Sequence, residues 1–189
     1  MQRELKDILP ILGIEDDCIL SKQGDYTVCY KVVKPEIFSL SGDEFEALHQ
    51  AFIRALKVLP KNSIFTMQDW FTTMKYQADF EKAGDSFFGR ASERFFNERP
   101  YLDHTCYIFL TKKPAGRKMV TSAVSSLLRR SIIPAEPMNE HAVQDFLDAC
   151  GQFSRILQDS GLVKMQRLTK AQIMSGKSTA GVMEQYCSL

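Results

Sequence analysis

The chain lacks the long apolar segment that a membrane-spanning helix requires. Hydrophobic residues make up 44% of its 189 residues, yet no uninterrupted apolar run approaches the roughly 18 residues needed. The first seven residues, Met1 to Asp7, are mostly polar and contain no apolar core of the kind that a signal peptide has. From these two absences we expect a cytoplasmic protein.

Closely spaced cysteine pairs and clustered metal ligands are also missing. The five cysteines are odd in number and widely separated, and no C-x-x-C pair occurs, so we expect reduced packing residues and neither disulfides nor a zinc site. His49 and His141 lie on predicted helices without a second ligand three or four residues away. The cysteines are Cys18, Cys29, Cys106, Cys150 and Cys187.

A large excess of charge of one sign is absent, but one segment is locally basic. The formal net charge of +1 excludes a surface built throughout for nucleic acid. Residues 112–130 nevertheless contain no acid, and a narrow apolar stripe lies between their charged ends. We interpret them as a candidate contact for DNA, anionic lipid or an acidic partner, the alternative being a solvated loop with a helix laid on the sheet. The candidate contact residues are Lys112, Lys113, Arg117, Lys118, Arg129 and Arg130.

A complete nucleotide-binding loop is missing as well. The Gly-Lys-Ser-Thr run at residues 176–179 is similar to the end of a Walker loop, but the first glycine of that pattern is replaced by Ala171. The preceding residues, 168–174, favour a helix where a Walker loop follows a buried strand. We therefore predict a polar break between two short helices, no nucleotide or magnesium bound by this chain, and no ATP hydrolysis by it.

Two further patterns could carry chemistry, and both are better explained by packing. His104 and Cys106 lie two apart on a predicted strand, which separates their Cβ atoms by roughly 6–7 Å, too far for a nucleophile and its base. Eight phenylalanines could stack on bases, but the glycine and basic residues of an RNA-recognition strand are absent, so we predict that these rings lie in the core. They are Phe65, Phe71, Phe80, Phe87, Phe88, Phe95, Phe96 and Phe109.

Periodicity and breakers divide the chain into alternating strands and helices. Ser41 and Glu44 have capping-box spacing, and apolar residues then recur at steps of three and four. The near-continuous apolar run 105–111 is typical of a central strand that is covered on both faces. The predicted elements are a hairpin over 18–33, helices over 42–59, 79–98 and 139–160, a weaker helix over 119–130, strands over 63–76, 105–111 and 162–168, and helical fragments to the end.

This order predicts the α+β class, with one antiparallel or mixed sheet of about five strands and helices packed mainly on one face. We predict a single domain over 1–189, in which 112–137 is a basic, proline-punctuated insertion or linker. The predicted core joins the central strand to two covering helices. Its members are Phe52, Leu56, Tyr107, Phe109, Phe146 and Phe153.

Several strings of residues together resemble one family. They are the runs 99–112 and 153–168, the Ile132-Ile133-Pro134 link, and the closing residues 181–189. In these the chain is similar to the amino-terminal region of the TraG-type conjugation ATPases of Bacteroides conjugative transposons, which in turn resemble the large ATPases that energise type IV secretion.

The resemblance implies that the full protein continues into a RecA-like ATPase domain, which binds ATP and Mg²⁺ with its own Walker loop. It implies no catalytic residue in this chain. We accordingly expect a non-catalytic assembly or docking domain that acts in DNA transfer, at the cytoplasmic side and peripheral to the inner membrane. The expected partners are conjugation channel subunits, the ATPase domain and further copies of the chain. The alternative is a nucleic-acid-binding module that uses 112–130.

Overall fold

A computed structural model describes residues 10–79, 86–114, 140–176 and 179–188. The described residues form six strands and five helices, with a 3₁₀ turn at Ile37–Ser39. The strands are β1 (Ile11–Glu15), β2 (Cys18–Ser21), β3 (Tyr26–Val33), β4 (Ser63–Lys75), β5 (Pro100–Lys112) and β6 (Lys164–Arg167). The helices are α1 (Gly42–Val58), α2 (Phe87–Asn97), α3 (Glu140–Asp159), α4 (Lys170–Met174) and α5 (Val182–Ser188).

The strands form one antiparallel sheet, which confirms the predicted α+β class. The order is β1-β2-β3-β5-β4, and β6 pairs with β3 outside this path. Strand β2 pairs with β3 over residues 26–28 and β6 pairs with β3 over residues 30–33, so these two short strands follow one another along the same edge of β3. The central position of β5 is confirmed, and three consecutive residues of it are buried, Cys106, Tyr107 and Ile108.

One strand was not predicted, because its connection to β2 is a tight turn of two acidic residues. Asp16 and Asp17 have φ angles of 48° and 59°, the left-handed conformation that a two-residue hairpin turn needs at both positions. Glu15 ends β1 and pairs with Cys18. The turn is held from the C-terminal part of the chain, since the Lys170 N–H donates to Asp17 Oδ1 at 2.6 Å.

Helix α1 begins as predicted, with a reciprocal capping box. The Ser41 hydroxyl oxygen accepts from the Glu44 N–H at 3.3 Å, and the Glu44 carboxylate accepts from the Ser41 N–H at 2.8 Å. Helix α1 packs on α3, and its covered face is displaced from the predicted stripe, because the fully buried residues are Ala51 and Ala55 while Phe52 is half-buried. Two alanines one turn apart let the helices approach closely, so Leu56, predicted in the core, is 40% exposed.

The remaining core predictions are largely right. Tyr107, Phe146 and Phe153 are buried, and the ring of Phe153 lies 6.0 Å from the ring of Phe65. Phe109 is only half-buried, because the even-numbered residues of β5 point to the fully enclosed side of the sheet, where Ile108 and Leu110 have no exposed surface. Phe52 is half-buried as well.

The chain divides into two compact units. The first comprises Met1–Met67 and Tyr107–Leu189, and its described residues hold most of the sheet with α1, α3, α4 and α5. The second unit is Gln68–Cys106, which contains the end of β4, helix α2 and the start of β5. Helix α2 begins at Phe87, later than predicted, after a Ser86 cap that accepts from the Gly89 N–H at 3.4 Å.

Candidate docking surface

The basic candidates are divided between the described part of the chain and the part outside it. Lys112 donates from Nζ to the carbonyl oxygen of Lys61, so its ammonium group already has a partner within the fold. Lys113 is exposed, and its backbone N–H donates to the Asn62 carbonyl at 3.0 Å. Arg117, Lys118, Arg129 and Arg130 lie outside the described residues, as does the predicted helix over 119–130. The described part of the chain therefore contains two of the six candidates, which are neighbours in the sequence.

The Gly-Lys-Ser-Thr run lies between two short helices, as predicted, although Lys177 and Ser178 are outside the described residues. The Gly176 N–H donates to the Thr179 carbonyl at 2.9 Å, so this amide is occupied by the chain itself, whereas a phosphate loop needs it free. Gly181 packs directly on the backbone at Ser175, and a side chain there would clash, because a Cβ would lie 2.5 Å from the Ser175 nitrogen. These contacts join described residues on either side of 177–178.

His104 and Cys106, predicted to be too far apart for a nucleophile and its base, lie in different environments. His104 Nε2 lies 2.7 Å from Asp69 Oδ1, and its ring stacks on Phe71 at a centroid distance of 4.7 Å. Cys106 is 2% exposed, whereas the His104 side chain is exposed. Among the residues that the structure describes, no group of three or more His, Cys, Asp or Glu side chains could hold a metal ion.

An open groove of about 540 Å³ lies along α3 and β6 in the first unit. Three of its polar side chains are Tyr30, Arg155 and Arg167. Tyr30 donates to the Cys150 carbonyl at 3.1 Å, and Arg167 donates to the Asp16 carbonyl at 2.8 Å. Since Tyr30 and Arg167 bind the protein's own backbone, we assign them a structural role.

The cysteines are free thiols, and four of the five are buried. Burial raises the pKa of Cys29 and of Cys150 to about 12, because the thiolate would lose its hydration, and it also raises the pKa of Cys18. Cys187 is exposed at the C-terminal helix. Since the thiolate is the reactive form, the buried cysteines are chemically inert.

We expect native thiol alkylation to modify one cysteine quickly. At about pH 8, iodoacetamide should label Cys187 and leave the other four untouched, whereas denaturant should expose all five. Mass spectrometry of the labelled peptides would show this. Rapid native labelling of Cys29 or Cys150 would show that the described core is not closed around them.

The second unit contains a helix that is attached through its polar side. Glu93 accepts from the Tyr76 hydroxyl at 3.0 Å and from the Asp79 N–H at 2.9 Å. One turn further along the same side, Asn97 Oδ1 accepts from the Ala78 N–H at 3.3 Å. Residues 76–79 thus bind the polar side of α2, on which Gly89, Glu93 and Asn97 follow one another at steps of four residues.

The opposite row of α2 is apolar and exposed. Phe87, Ala91 and Phe95 repeat every four residues, and Phe88 lies beside this row. Phe87 is 78% exposed and Phe88 is 82% exposed, and these two rings contact each other edge to face at 5.7 Å. An amphipathic helix of a globular protein normally packs its apolar face against the rest of the protein. In α2 the polar row packs on residues 76–79 and the apolar row is exposed to solvent. We call Phe87, Phe88, Ala91 and Phe95 the phenylalanine face.

Arginines border the phenylalanine face. Arg90 and Arg94 occupy the row next to it, and Arg94 forms an ion pair with Glu98 at 2.8 Å. The Arg99 guanidinium lies over the Phe95 ring, 3.7 Å from its centroid. The exposed rings therefore have positively charged side chains directly beside them.

The prediction that the phenylalanines lie in the core is wrong for five of the eight. Phe65 and Phe109 are half-buried and Phe80 lies outside the described residues, whereas the other five are exposed: Phe71, Phe87, Phe88, Phe95 and Phe96. Sequence periodicity shows that α2 is amphipathic but not which side is covered. The sequence signal for the covered side is the pair Glu93 and Asn97, two hydrogen-bond acceptors that lie one turn apart on the same side of α2.

Comparison with known proteins gives one partial match. Residues 2–50 match a family described as a domain of unknown function, B. Theta Gene description (DUF3875). This segment contains β1 to β3 and the first part of α1, and it is less than half of the chain. No curated protein matches the chain. Within the described residues, no helix has the length and apolar character needed to cross a membrane.

Proposed function

We propose that the chain is a non-catalytic docking domain of a conjugation ATPase of the type IV secretion class, which acts in DNA transfer. The resemblance of the sequence to the amino-terminal region of TraG-type proteins supports the class. The docking surface is the phenylalanine face of α2, and the ATPase domain that follows in the full protein supplies the nucleotide site. The partners are the channel subunits at the inner membrane, the ATPase domain and further copies of the chain.

The orientation of α2 carries this proposal. A helix held by Glu93 and Asn97 exposes Phe87 and Phe88 to solvent, which costs hydrophobic free energy in the isolated chain. Covering each ring in a complex contributes on the order of 1.5 kcal/mol or more. Large exposed apolar patches of this kind mark interaction sites on soluble proteins.

The second candidate is a nucleic-acid module that uses 112–130. Within the described residues, the Lys112 ammonium group donates to the Lys61 carbonyl, so this cation is already engaged by the fold. DNA binding is one outcome of the experiments below.

A conjugation assay tests the proposal. The complete gene would carry Phe87→Ser, Phe88→Ser and Phe95→Ser, and donor cells would be scored for transfer frequency while the purified full-length protein is assayed for ATP hydrolysis. Loss of three apolar contacts weakens docking by roughly 10³-fold, so transfer should fall while the ATPase rate stays near that of the parent.

The matched control replaces the same three residues with leucine, which keeps the face apolar and should keep transfer. Lys177→Ala should change neither readout. Normal transfer by the serine variant, or ATP turnover by the 189-residue chain that depends on Lys177, would contradict the proposed function.

A further inference from the structure

We propose that the phenylalanine face of α2 binds the surface of an anionic lipid bilayer. Phe87 and Phe88 would enter the boundary between headgroups and acyl chains, and Arg90 and Arg99 would contact lipid phosphates. The inference rests on the proposed docking function and names the chemistry of what α2 docks to.

The helix is fixed with its rings outward. Turning the phenylalanine face inward would break the two hydrogen bonds of the Glu93 carboxylate and the one that Asn97 accepts from the Ala78 N–H. Phe96, on the flank of the polar row, packs edge to face on Tyr76 at 6.0 Å and adds a fourth contact to residues 76–79. The exposed face is therefore a stable feature of the second unit.

The charges around the face are complementary to an anionic surface. Of the acids that the structure describes on α2 and directly after it, Glu93 faces residues 76–79 and Glu98 is paired with Arg94. Arg90 and Arg99 remain at the border of the rings, and stacking on Phe95 holds the Arg99 charge beside the apolar surface. Attraction of such arginines to anionic headgroups adds to the burial of apolar area.

The dimensions also suit an interfacial helix. Eleven residues extend over about 16 Å, roughly half the thickness of the hydrocarbon core, so α2 can lie in the plane of the interface. Its apolar face consists of phenylalanine and alanine, and its border of arginine, the composition that interfacial helices use.

A bilayer fits this face better than a protein groove or single-stranded DNA. The phenylalanine face contains no polar side chain that would fix the orientation of a protein partner, whereas a bilayer requires only apolar area and charge. Base stacking requires rings that are open on their flat sides, but Phe87 and Phe88 meet edge to face and Arg99 covers Phe95.

Vesicle sedimentation tests the inference directly. The 189-residue chain should pellet with vesicles of an equal mixture of phosphatidylglycerol and phosphatidylcholine, should pellet poorly with phosphatidylcholine alone, and should dissociate as salt is raised. Phe87→Ser with Phe88→Ser should lower the partition coefficient at least about tenfold. Arg90→Gln with Arg99→Gln should lower it roughly 30-fold and flatten its salt dependence.

The controls separate this face from other surfaces. Phe38→Ser removes a ring that is 99% exposed in the first unit, and it should leave binding unchanged, as should the four changes Arg117→Gln, Lys118→Gln, Arg129→Gln and Arg130→Gln. Phe88→Trp should shift its added fluorescence to the blue when vesicles are present. Melting temperatures of all variants would verify that each one is folded.

The outcomes distinguish the inference from the proposed function. Failure to bind anionic vesicles, or binding lost only in the four-residue glutamine variant, overturns the lipid inference. If Phe87 and Phe88 were instead required to bind a channel subunit in detergent, the docking proposal would stand without it. If they were required to bind a single-stranded oligonucleotide, both would be wrong.

Discussion

Replacing Phe153 with alanine is expected to lower the free energy of unfolding by roughly 3–5 kcal/mol. Phe153 has no exposed surface, lies on α3, and meets the Phe65 ring of β4 at 6.0 Å. Truncation would leave a cavity between helix and sheet that neither element can close. Because domains of this size are stable by only about 5–15 kcal/mol, the variant should be close to unfolding at growth temperature.

Chemical denaturation of parent and variant would measure this loss. Phe45→Ala is the matched control, since this ring on α1 is 52% exposed and its truncation should cost far less. Phe109→Ala should fall between the two, because Phe109 is half-buried. Equal midpoints for the Phe153 and Phe45 variants would show that α3 does not pack on the sheet as described.

Raising the pH above about 9 is expected to destabilise the fold steeply. Burial raises the pKa of Cys29 and of Cys150 from 9.0 to about 12. Between these values the unfolded chain releases both thiol protons and the folded chain keeps them, so the unfolded state binds fewer protons and stability falls with pH. Between the two pKa values, each thiol lowers the free energy of unfolding by about 1.4 kcal/mol per pH unit. Well below the unfolded pKa this loss disappears, because both states then keep the proton.

Thermal melts from about pH 7 to about pH 11 would show a plateau followed by this decline. Tyr30 adds to it above pH 10.0, since burial raises its pKa as well. A chain with Cys29→Ala and Cys150→Ala starts from a lower stability but should lose less of it with rising pH. A melting temperature that stays constant across the range in the parent would contradict the burial of both thiols.

Local signals in the sequence were sufficient for most of the elements. The Ser41–Glu44 capping box and the hairpin at 18–33 are both confirmed. Each depends on contacts within a few residues, where residue type alone determines which backbone conformation is available. The apolar run in β5 likewise predicted a central strand, because only a strand covered on both faces has apolar residues at successive positions.

Predictions that depend on contacts between residues distant in sequence were less successful. Strand β1 was not predicted, because the two residues of its turn, Asp16 and Asp17, have the composition of a loop. The turn is also stabilised by a hydrogen bond from Lys170, which is distant in sequence. On α1, the large residues predicted a stripe that is displaced from the most buried positions, since the approach of α3 favours Ala51 and Ala55. Side-chain size within one helix does not reveal the distance to the next.

The sequence by itself determined that α2 is amphipathic, with phenylalanine on one side and Glu93 and Asn97 on the other. Only the tertiary structure decided which side is covered. Residues 76–79 present a hydroxyl and two backbone N–H groups, and these bind the polar side and leave the rings outside. Periodicity records the separation of polar from apolar residues along a helix, whereas the side that turns inward depends on the donors and surfaces that the rest of the chain brings beside it.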